Sequence, residues 1–207
     1  PPSAPQPPPR PKAPAASALH HAYIGGLLEH TVSVLEVALR IVPQYPKLSM
    51  DLMLAGLFLH DIGKSTELCF ETAIGYTDDG QLIGHITQAV IWVDKKTDAV
   101  AAKLGVPFDK ELRWVLQHII LAHHGCYAFG SPKLPAIPEA IAVHYIDNLD
   151  AKLSMFFAEI ENDRDPASRW TNYNKALETK VFKPDVMGTR GATKSPNVQS
   201  SNNPNLG

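Results

Sequence analysis

The strongest constraint on the fold is an apolar stretch that stops abruptly at ionisable residues. Residues 51–65 read DLMLAGLFLHDIGKS, so an apolar helix runs directly into His60, Asp61 and Lys64. A helix that is apolar on every side is normally buried, and buried ionisable groups are costly unless they are paired, hydrogen-bonded or bound to metal. We therefore predict a buried central helix over residues 51–62, with Ser49 or Asp51 as its N-cap and Gly63 as its C-cap.

Helical periodicity dominates the rest of the central sequence. The apolar spacing predicts helices over residues 26–42, 84–104 and 109–124, and a last long helix that begins near Pro138. The one strand signal lies in residues 66–83, where Asp79-Gly80 predicts the turn of a short hairpin. The predicted fold class is all-α, a helical bundle with at most a small β-hairpin.

Composition divides the chain into three parts. Residues 1–16 contain eight prolines, which predicts an extended linker over residues 1–17. From Pro184 onward Gly, Asn, Ser and Pro replace the apolar periodicity, so residues 184–207 are predicted to be a disordered tail. Residues 18–183 remain as one folded domain, a usual length for a single hydrophobic core.

Charge and cysteine usage restrict the classes of protein. No apolar run approaches the roughly 20 residues of a membrane span, and two cysteines make no disulfide framework. These features predict no membrane contact and a cytoplasmic protein. Residues 1–163 carry 12 basic and 18 acidic side chains, whereas residues 164–207 carry seven and three. The basic C-terminal segment favours either contact with a polyanion or a solvated tail.

Histidine is the unusual residue, with nine in 207 residues. A single histidine on an apolar helix face is more often a hydrogen-bonded core residue than a metal ligand. Here several imidazoles and two carboxylates fall on the apolar faces of different helices, and hydrogen bonds alone would satisfy them poorly, whereas divalent metal ions would satisfy them well. The inward-facing candidates are His30, His60, Asp61, His85, His123 and Asp147.

The order of these residues resembles the HD superfamily of metal-dependent phosphohydrolases. The defining pattern is a histidine, an adjacent His-Asp pair and a distant aspartate, which correspond here to His30, His60-Asp61 and Asp147. The further histidines resemble the longer pattern of members that bind two metal ions. The stretches GGLLEHTVSVL, LHDIGKSTEL, LQHIILAHHGCYAFGSP and HYIDNLDAKLSMF are most similar to the HD domain of YhaM-type 3′-to-5′ exoribonucleases. HHG in place of HHE, without a following GYP, separates the chain from cyclic-dinucleotide phosphodiesterases.

The resemblance implies a ligand set and an activity. One metal ion would bind His30, His60, Asp61 and Asp147, and Asp61 would bridge to a second ion bound by His85, His123 and His124. Mn²⁺ is favoured, with Fe²⁺ and Zn²⁺ as alternatives. The implied substrate is the 3′ end of single-stranded RNA or another nucleic acid, and the implied partners are an upstream oligonucleotide-binding domain and a second copy of the chain. Two alternatives stay open, namely a phosphohydrolase of small nucleotides and a non-catalytic regulatory HD domain.

Further residues are candidates for catalysis or substrate binding. Asp61 and Lys64 are assigned catalytic roles, with Lys64 either contacting a phosphate or lying at the surface as a helix-end lysine. In the loop after the histidine pair, Tyr127 and Phe129 either stack a terminal base or pack the loop onto the bundle. The remaining candidates are Lys133 for the nucleic-acid backbone, His144, Asn148, Asp150 and Lys152 as partners that orient ligands, with Lys152 also a candidate for substrate binding, and His118 without an assigned role. Trp170, Tyr173, Arg164, Arg169 and Lys175 form a second aromatic and basic cluster that either guides a strand or docks the last helix.

Overall fold

A computed structural model describes residues 26–69 and 75–190. Helices dominate this part of the chain, which confirms the predicted all-α class. The helices are α1 Gly26–Ile41, α2 Met50–Leu59, α3 Lys64–Glu67, α4 Asp78–Leu82, α5 Gly84–Leu104, α6 Lys110–Ala122 and α7 Pro138–Glu161. Two 3₁₀ turns, Val42–Gln44 and Tyr127–Phe129, follow α1 and precede α7. The chain divides into two compact units, one through Ala158 and one from Glu159.

The first unit is built around two groups of buried apolar side chains. The larger group joins α1, α2, α6 and α7 and includes Val34, Ala38, Met53, Leu57, Ile119, Ala140, Val143 and Ile146. The smaller group joins α5 to α6 through Ile86, Ala89, Val93 and Ile120. Within the described residues, no helix is long and apolar enough to cross a membrane. The helices of the first unit therefore form one bundle, in which the predicted inward-facing residues His30, His60, Asp61 and His123 are buried.

The central helix α2 differs from its prediction at its end. Ser49 is the N-cap, since its hydroxyl accepts a hydrogen bond from the Leu52 amide at 3.3 Å. The helix ends at Leu59 rather than Ile62, and Phe58 is exposed, so α2 is not buried on every side. The prediction of Gly63 as a C-cap was wrong, because Gly63 is not among the residues with positive φ.

Gly63 has a different function in the fold. A Cβ atom at this position would lie 2.2 Å from the carbonyl oxygen of His85, at the start of α5. Real Cβ atoms do not tolerate such a distance, so only glycine lets the two backbones approach this closely. The glycine therefore sets the distance between the end of the α2 segment and the first turn of α5.

The predicted hairpin exists, but its turn is not where the sequence placed it. Leu68–Cys69 (β1) pairs antiparallel with Gly75–Tyr76 (β2), and residues 70–74 between them lie outside the described residues. Asp79-Gly80 instead belongs to helix α4. The Thr77 hydroxyl accepts a hydrogen bond from the Gly80 amide at 3.1 Å, so it caps this helix and favours it over a turn.

The second unit contains the end of α7 and an irregular ribbon. Two isolated bridges, Trp170 with Phe182 and Asn174 with Thr179, hold the ribbon together. Residues 184–190 have no helix or strand. The predicted linker over residues 1–17 and the tail beyond residue 190 lie outside the described residues, and the predicted domain limits of 18–183 stay a prediction.

Candidate metal centre

The first cluster of the site gathers two histidines and two aspartates. α1 supplies His30, the end of α2 supplies His60 and Asp61, and α7 supplies Asp147, and their ligand atoms all lie within 4.8 Å of one another. The Asp147 Oδ1 atom is 3.1 Å from His30 Nε2 and 3.6 Å from His60 Nε2. His60 is fully buried, and His30 and Asp61 are nearly so. Three helices that are far apart in sequence therefore meet at one small polar volume.

The second cluster consists of three imidazoles. His85 lies in the first turn of α5, and His123 and His124 follow the end of α6, again with ligand atoms within 4.8 Å of one another. The His123 and His124 rings are edge to face, with centroids 4.3 Å apart. All seven predicted metal ligands thus fall into the two clusters.

Asp61 belongs to both clusters. Its Oδ2 atom is 3.5 Å from His60 Nε2 and 4.0 Å from His30 Nε2 in the first cluster. Its Oδ1 atom is 3.6 Å from both His85 Nε2 and His123 Nε2 in the second. The two oxygens of one buried carboxylate therefore face different sets of imidazole nitrogens, which is the geometry that a bridging ligand needs.

Three buried polar atoms at this point have no hydrogen-bond partner. They are Asp61 Oδ1, His85 Nε2 and His123 Nε2, and they face one another. Buried polar atoms are nearly always hydrogen-bonded, and an unsatisfied group of atoms indicates an ion or water at the site. Carboxylate oxygen and imidazole nitrogen are suitable ligands for divalent transition metals. The residues present therefore fit a divalent metal ion.

The opposite nitrogen of each ligating ring is held by an acceptor. The Nδ1 atoms of His60, His123 and His124 donate to main-chain carbonyls, and those of His30 and His85 contact carboxylates. A carbonyl can only accept, so Nδ1 of these three rings carries a proton, and each ring in its neutral form directs the Nε2 lone pair into the cluster. This arrangement fixes the tautomer and orientation of metal-binding histidines. The acceptors are Leu57 O (2.7 Å), Ile120 O (2.7 Å), Phe129 O (2.9 Å), Asp150 Oδ2 (2.8 Å) and Glu67 Oε2 (3.0 Å).

Of the two carboxylate partners, the sequence pointed to Asp150 but not to Glu67. Asp150 was a candidate for orienting a ligand, and it contacts His30 and accepts a hydrogen bond from the Ser33 hydroxyl at 2.5 Å. The sequence reasoning missed Glu67, which binds both the main-chain amide and the ring of His85. Glu67 lies in a four-residue helix, too short for a periodic signal.

His144 has a positioning function that the sequence only suggested. Its Nδ1 atom donates to the carbonyl of His123 at 2.8 Å. A Cβ on Gly125 would lie 2.3 Å from the His144 ring, and Gly125 has φ +80°, so this position requires glycine for two reasons. His144 thus fixes the backbone that carries the histidine pair. The other candidate on this helix, Asn148, is half-buried on α7.

The protonation behaviour of the two clusters differs. Burial lowers the pKa of His30, but hydrogen bonds to Asp147 and Asp150 outweigh it and raise that pKa to about 9. Burial also opposes the charge on Asp147, yet His30 and His60 hold the pKa of its carboxyl below the usual value. In the second cluster, burial and the neighbouring His123 and His85 lower the pKa of His124 to about 4. The first cluster therefore balances charge internally, whereas burial disfavours a charge on His124 in the second.

Lys64 lies beside the shared carboxylate. Its Nζ atom donates to Asp61 Oδ2 at 2.6 Å, and the side chain is partly exposed. Burial works against the charge on Asp61, but Lys64 and His60 hold the pKa of its carboxyl well below the usual value. Lys64 is thus neither a remote surface lysine nor a fully buried one.

The loop between α6 and α7 is anchored at its base and open at its tip. Ser131 is buried and donates to the carbonyls of Leu121 and Lys133. Tyr127, Phe129 and Lys133 are exposed, so the two rings do not pack the loop onto the bundle. His118, which had no assigned role, accepts a hydrogen bond from the Ala136 amide at 2.9 Å and so holds the loop. Lys152 is exposed on α7.

Comparisons with known proteins agree with this geometry. Relatives named 3′-5′ exoribonuclease YhaM are 43% identical in Bacillus pumilus and 41% identical in Geobacillus sp. and Bacillus subtilis. The matches cover 82%, 87% and 82% of this chain and 51%, 55% and 51% of the relatives. The chain therefore spans about half the length of the curated relatives it matches. No solved structure matches the chain.

The profile of the HD domain matches residues 27–152, which include every residue of the two clusters. The match extends from α1 to α7 and covers more than half of the chain. The predicted resemblance to YhaM-type exoribonucleases is confirmed as well. This chain belongs to the HD domain family.

Proposed function

We propose that this chain is the hydrolytic domain of a metal-dependent 3′-to-5′ exoribonuclease. The observation that carries the proposal is the position of Asp61, whose two oxygens face two separate groups of imidazole nitrogens. On one side, Asp61 Oδ1 and the nitrogens that face it, His85 Nε2 and His123 Nε2, are buried and have no hydrogen-bond partner. The names of the relatives supply the reaction class and the substrate. Because those relatives are about twice as long as the matched region, the activity of the whole protein is part of the proposal.

The residues of each cluster would hold one divalent ion. His30, His60, Asp61 and Asp147 would hold the first, and Asp61, His85, His123 and His124 the second. When bound, two divalent ions supply Lewis-acid charge that activates a water molecule and stabilises phosphoryl oxygens. The ligands are nitrogen and oxygen without thiolate, a set that suits Mn²⁺, Fe²⁺ or Zn²⁺. Resemblance favours Mn²⁺ among these.

Lys64 is proposed to bind the phosphate that is cleaved. An ammonium group has three donors, and the contact with Asp61 uses one of them. The partly exposed side chain can direct its remaining donors toward a phosphate oxygen in the substrate. Its positive charge offsets the carboxylate beside it and favours an anionic ligand at the same place.

The exposed loop is proposed to bind the terminal nucleotide. The carbonyl of Phe129 accepts the hydrogen bond from His124, so the loop is attached directly to a proposed metal ligand. Tyr127 and Phe129 offer exposed rings for base stacking. Lys133 on the same loop and Lys152 on α7 are proposed to contact backbone phosphates, since both are exposed cations.

Resemblance supports two further parts of the proposal, an oligonucleotide-binding domain upstream in the whole protein and assembly with further copies of the chain. A cytoplasmic location is also part of the proposal. Two cysteines in 207 residues support the reducing compartment. Sedimentation of the purified chain measures its assembly with further copies directly.

The test of the function uses the purified chain with Mn²⁺ and a single-stranded RNA labelled at its 5′ end. Exonuclease action shortens the RNA one nucleotide at a time, so a ladder of labelled products is expected. Chelation of the metal ion should abolish the ladder, and metal analysis should return two equivalents of a transition metal. An RNA with a blocked 3′ end is the matched control and should stay intact.

Two outcomes would overturn the proposal. Release of phosphate from mononucleotides, with intact RNA, would favour a phosphohydrolase of small nucleotides. No hydrolysis of either substrate by a chain that holds metal ions would favour a regulatory HD domain.

A further inference from the structure

The second unit carries an exposed aromatic cleft that the metal centre does not use. Its ribbon is held by hydrogen bonds from the Thr171 amide to the Val181 carbonyl and from the Lys183 amide to the Arg169 carbonyl, each 2.9 Å. Thr171 and Val181 are buried, whereas Trp170 and Lys180 are exposed. Adjacent residues of an extended strand point to opposite faces, so Trp170 and Lys180 lie on the outer face.

The outer face forms one side of an open cleft of about 630 Å³. Its lining residues are Ser168, Trp170, Tyr173, Glu178, Thr179 and Lys180. Trp170 is 52% exposed and Tyr173 is 60% exposed. Two large rings and a lysine that line the same open volume are the combination with which proteins bind single-stranded nucleic acids.

The Trp170 ring is held in place although it is exposed. The Trp170 ring lies against the Phe182 ring, with centroids 5.0 Å apart. The Arg169 guanidinium in turn lies over the Phe182 ring, 5.0 Å from its centroid. The Ser168 hydroxyl both donates to the Trp170 carbonyl and accepts from the Trp170 amide. A ring fixed in this way loses little conformational entropy when a ligand stacks on it.

Among the described residues, Glu178 is the only one other than glycine with positive φ, at +54°. It lies at the turn of the ribbon and lines the cleft. This conformation is unfavourable for an L-residue with a side chain. Such strained residues cluster at ligand-binding positions, and a carboxylate here can accept hydrogen bonds from base N–H groups.

We propose that this cleft binds unpaired bases of single-stranded RNA. Trp170 and Tyr173 stack the bases, and Lys180 contacts the phosphate backbone. The inference rests on the proposed RNA substrate. Of the second aromatic and basic cluster predicted from the sequence, Trp170 and Tyr173 line the cleft and Arg169 supports it through Phe182.

The experiment measures binding without hydrolysis. The full chain, with a chelator present, is titrated into a fluorescently labelled single-stranded RNA of about 12 nucleotides, and anisotropy gives the dissociation constant. Trp170→Ala and Tyr173→Ala should each weaken binding by about tenfold, the usual cost of removing one stacked ring. Two variants, rather than one, guard against a Trp170→Ala chain that does not fold, and thermal unfolding checks both.

The chain offers matched controls of equal exposure. Trp114 is 54% exposed on α6, with the Lys110 ammonium over its ring, and Tyr45 is 58% exposed. Neither lines the cleft, so Trp114→Ala and Tyr45→Ala should leave the dissociation constant unchanged. If binding depended on exposed aromatic surface in general and not on the cleft, all four variants would bind the RNA more weakly.

Several outcomes would overturn the inference. These are wild-type affinity in both Trp170→Ala and Tyr173→Ala, equal affinity for duplex RNA, and displacement by a mononucleotide as effectively as by the RNA. The proposed function is judged separately by the product ladder. A chain that shortens RNA normally, but whose cleft variants bind RNA normally, refutes the cleft alone.

Discussion

The two clusters of the metal centre share Asp61 and differ in their electrostatics. The first combines His30 and His60 with Asp61 and Asp147. These carboxylates, together with Asp150 beside His30, outweigh burial and raise the pKa values of both imidazoles. The second consists of imidazoles, and burial lowers the pKa values of His123 and His124. Without a metal ion, His30 and His60 can hold protons against the nearby carboxylates, whereas burial opposes protonation of His123 and His124.

The unsatisfied atoms of the site follow this division. The nitrogens His85 Nε2 and His123 Nε2 are both in the second cluster, together with the Asp61 oxygen that faces them. Neutral imidazole binds a metal ion without first releasing a proton, whereas protonated imidazole must lose one. His123 and His124 can therefore bind a metal ion without first losing a proton, whereas His30 and His60 exchange protons for one. Asp61 contacts both clusters and so links their metal binding.

The largest effect is expected at the shared carboxylate. Asp61→Asn keeps the shape of the side chain but removes the negative charge that the two clusters share. We expect the metal content to fall at both positions and hydrolysis of RNA to fall about a thousandfold or more, since bound metal ions contribute several kcal/mol to the transition state. Metal analysis and the rate of RNA shortening measure the two effects.

Asp51→Asn is the matched control, because Asp51 is an exposed aspartate in the first turn of α2. It should retain both the metal content and the rate. An Asp61→Asn chain that still holds two metal equivalents would show that the clusters do not share this residue.

The next effect separates the clusters through their carboxylate partners. Glu67→Ala removes the acceptor from His85 in the second cluster, and Asp150→Ala removes it from His30 in the first. Loss of such a partner typically weakens metal binding 10- to 100-fold. Calorimetric titration with Mn²⁺ should show one weakened site in each variant and one site that is unchanged.

The two variants should also affect different sites. If both variants weakened the same single site, the division into two clusters would be wrong. Glu111→Ala, at an exposed position in the first turn of α6, serves as the control and should leave both sites unchanged.

Helical periodicity predicted which of these side chains would face one another, because the predicted ligands lie on helices or directly after them. The stripe that places Val34 in the core also places His30 there, and Ile119 does the same for His123. Periodicity fixes which way a side chain points within a helix. The order of the HD motif then supplied the pairing of ligands between helices, which periodicity alone does not contain.

The parts that the sequence did not predict depend on contacts between segments without periodicity. Glu67 accepts from His85 across 18 positions, and Gly63 is glycine because the His85 carbonyl approaches it. Neither fact has a local signal. The Asp79-Gly80 pair gave a signal for a turn, but Thr77 caps a helix there. Local patterns predicted which way helical side chains point. They failed where contact between two distant segments determines the conformation.

The smallest effect is the pH dependence of the stability of the metal-free protein. The folded state raises the pKa of His30 from 6.5 to about 9, so the stabilisation from His30 is fully present below pH 6.5 and is lost as the pH rises through 9. The folded state lowers the pKa of His124 from 6.5 to about 4, so stability falls as the pH drops from 6.5 toward 4.

The two clusters should therefore limit stability on opposite sides of pH 6.5. Urea unfolding with a chelator present, between pH 4.5 and 9.5, gives the free energy of unfolding across both ranges. His30→Asn should flatten the alkaline decline, and His124→Asn should flatten the acidic one, because each removes one titrating group. The reverse pattern, or an alkaline decline that His30→Asn leaves unchanged, would mean that the first cluster does not hold its proton through the contacts with Asp147 and Asp150.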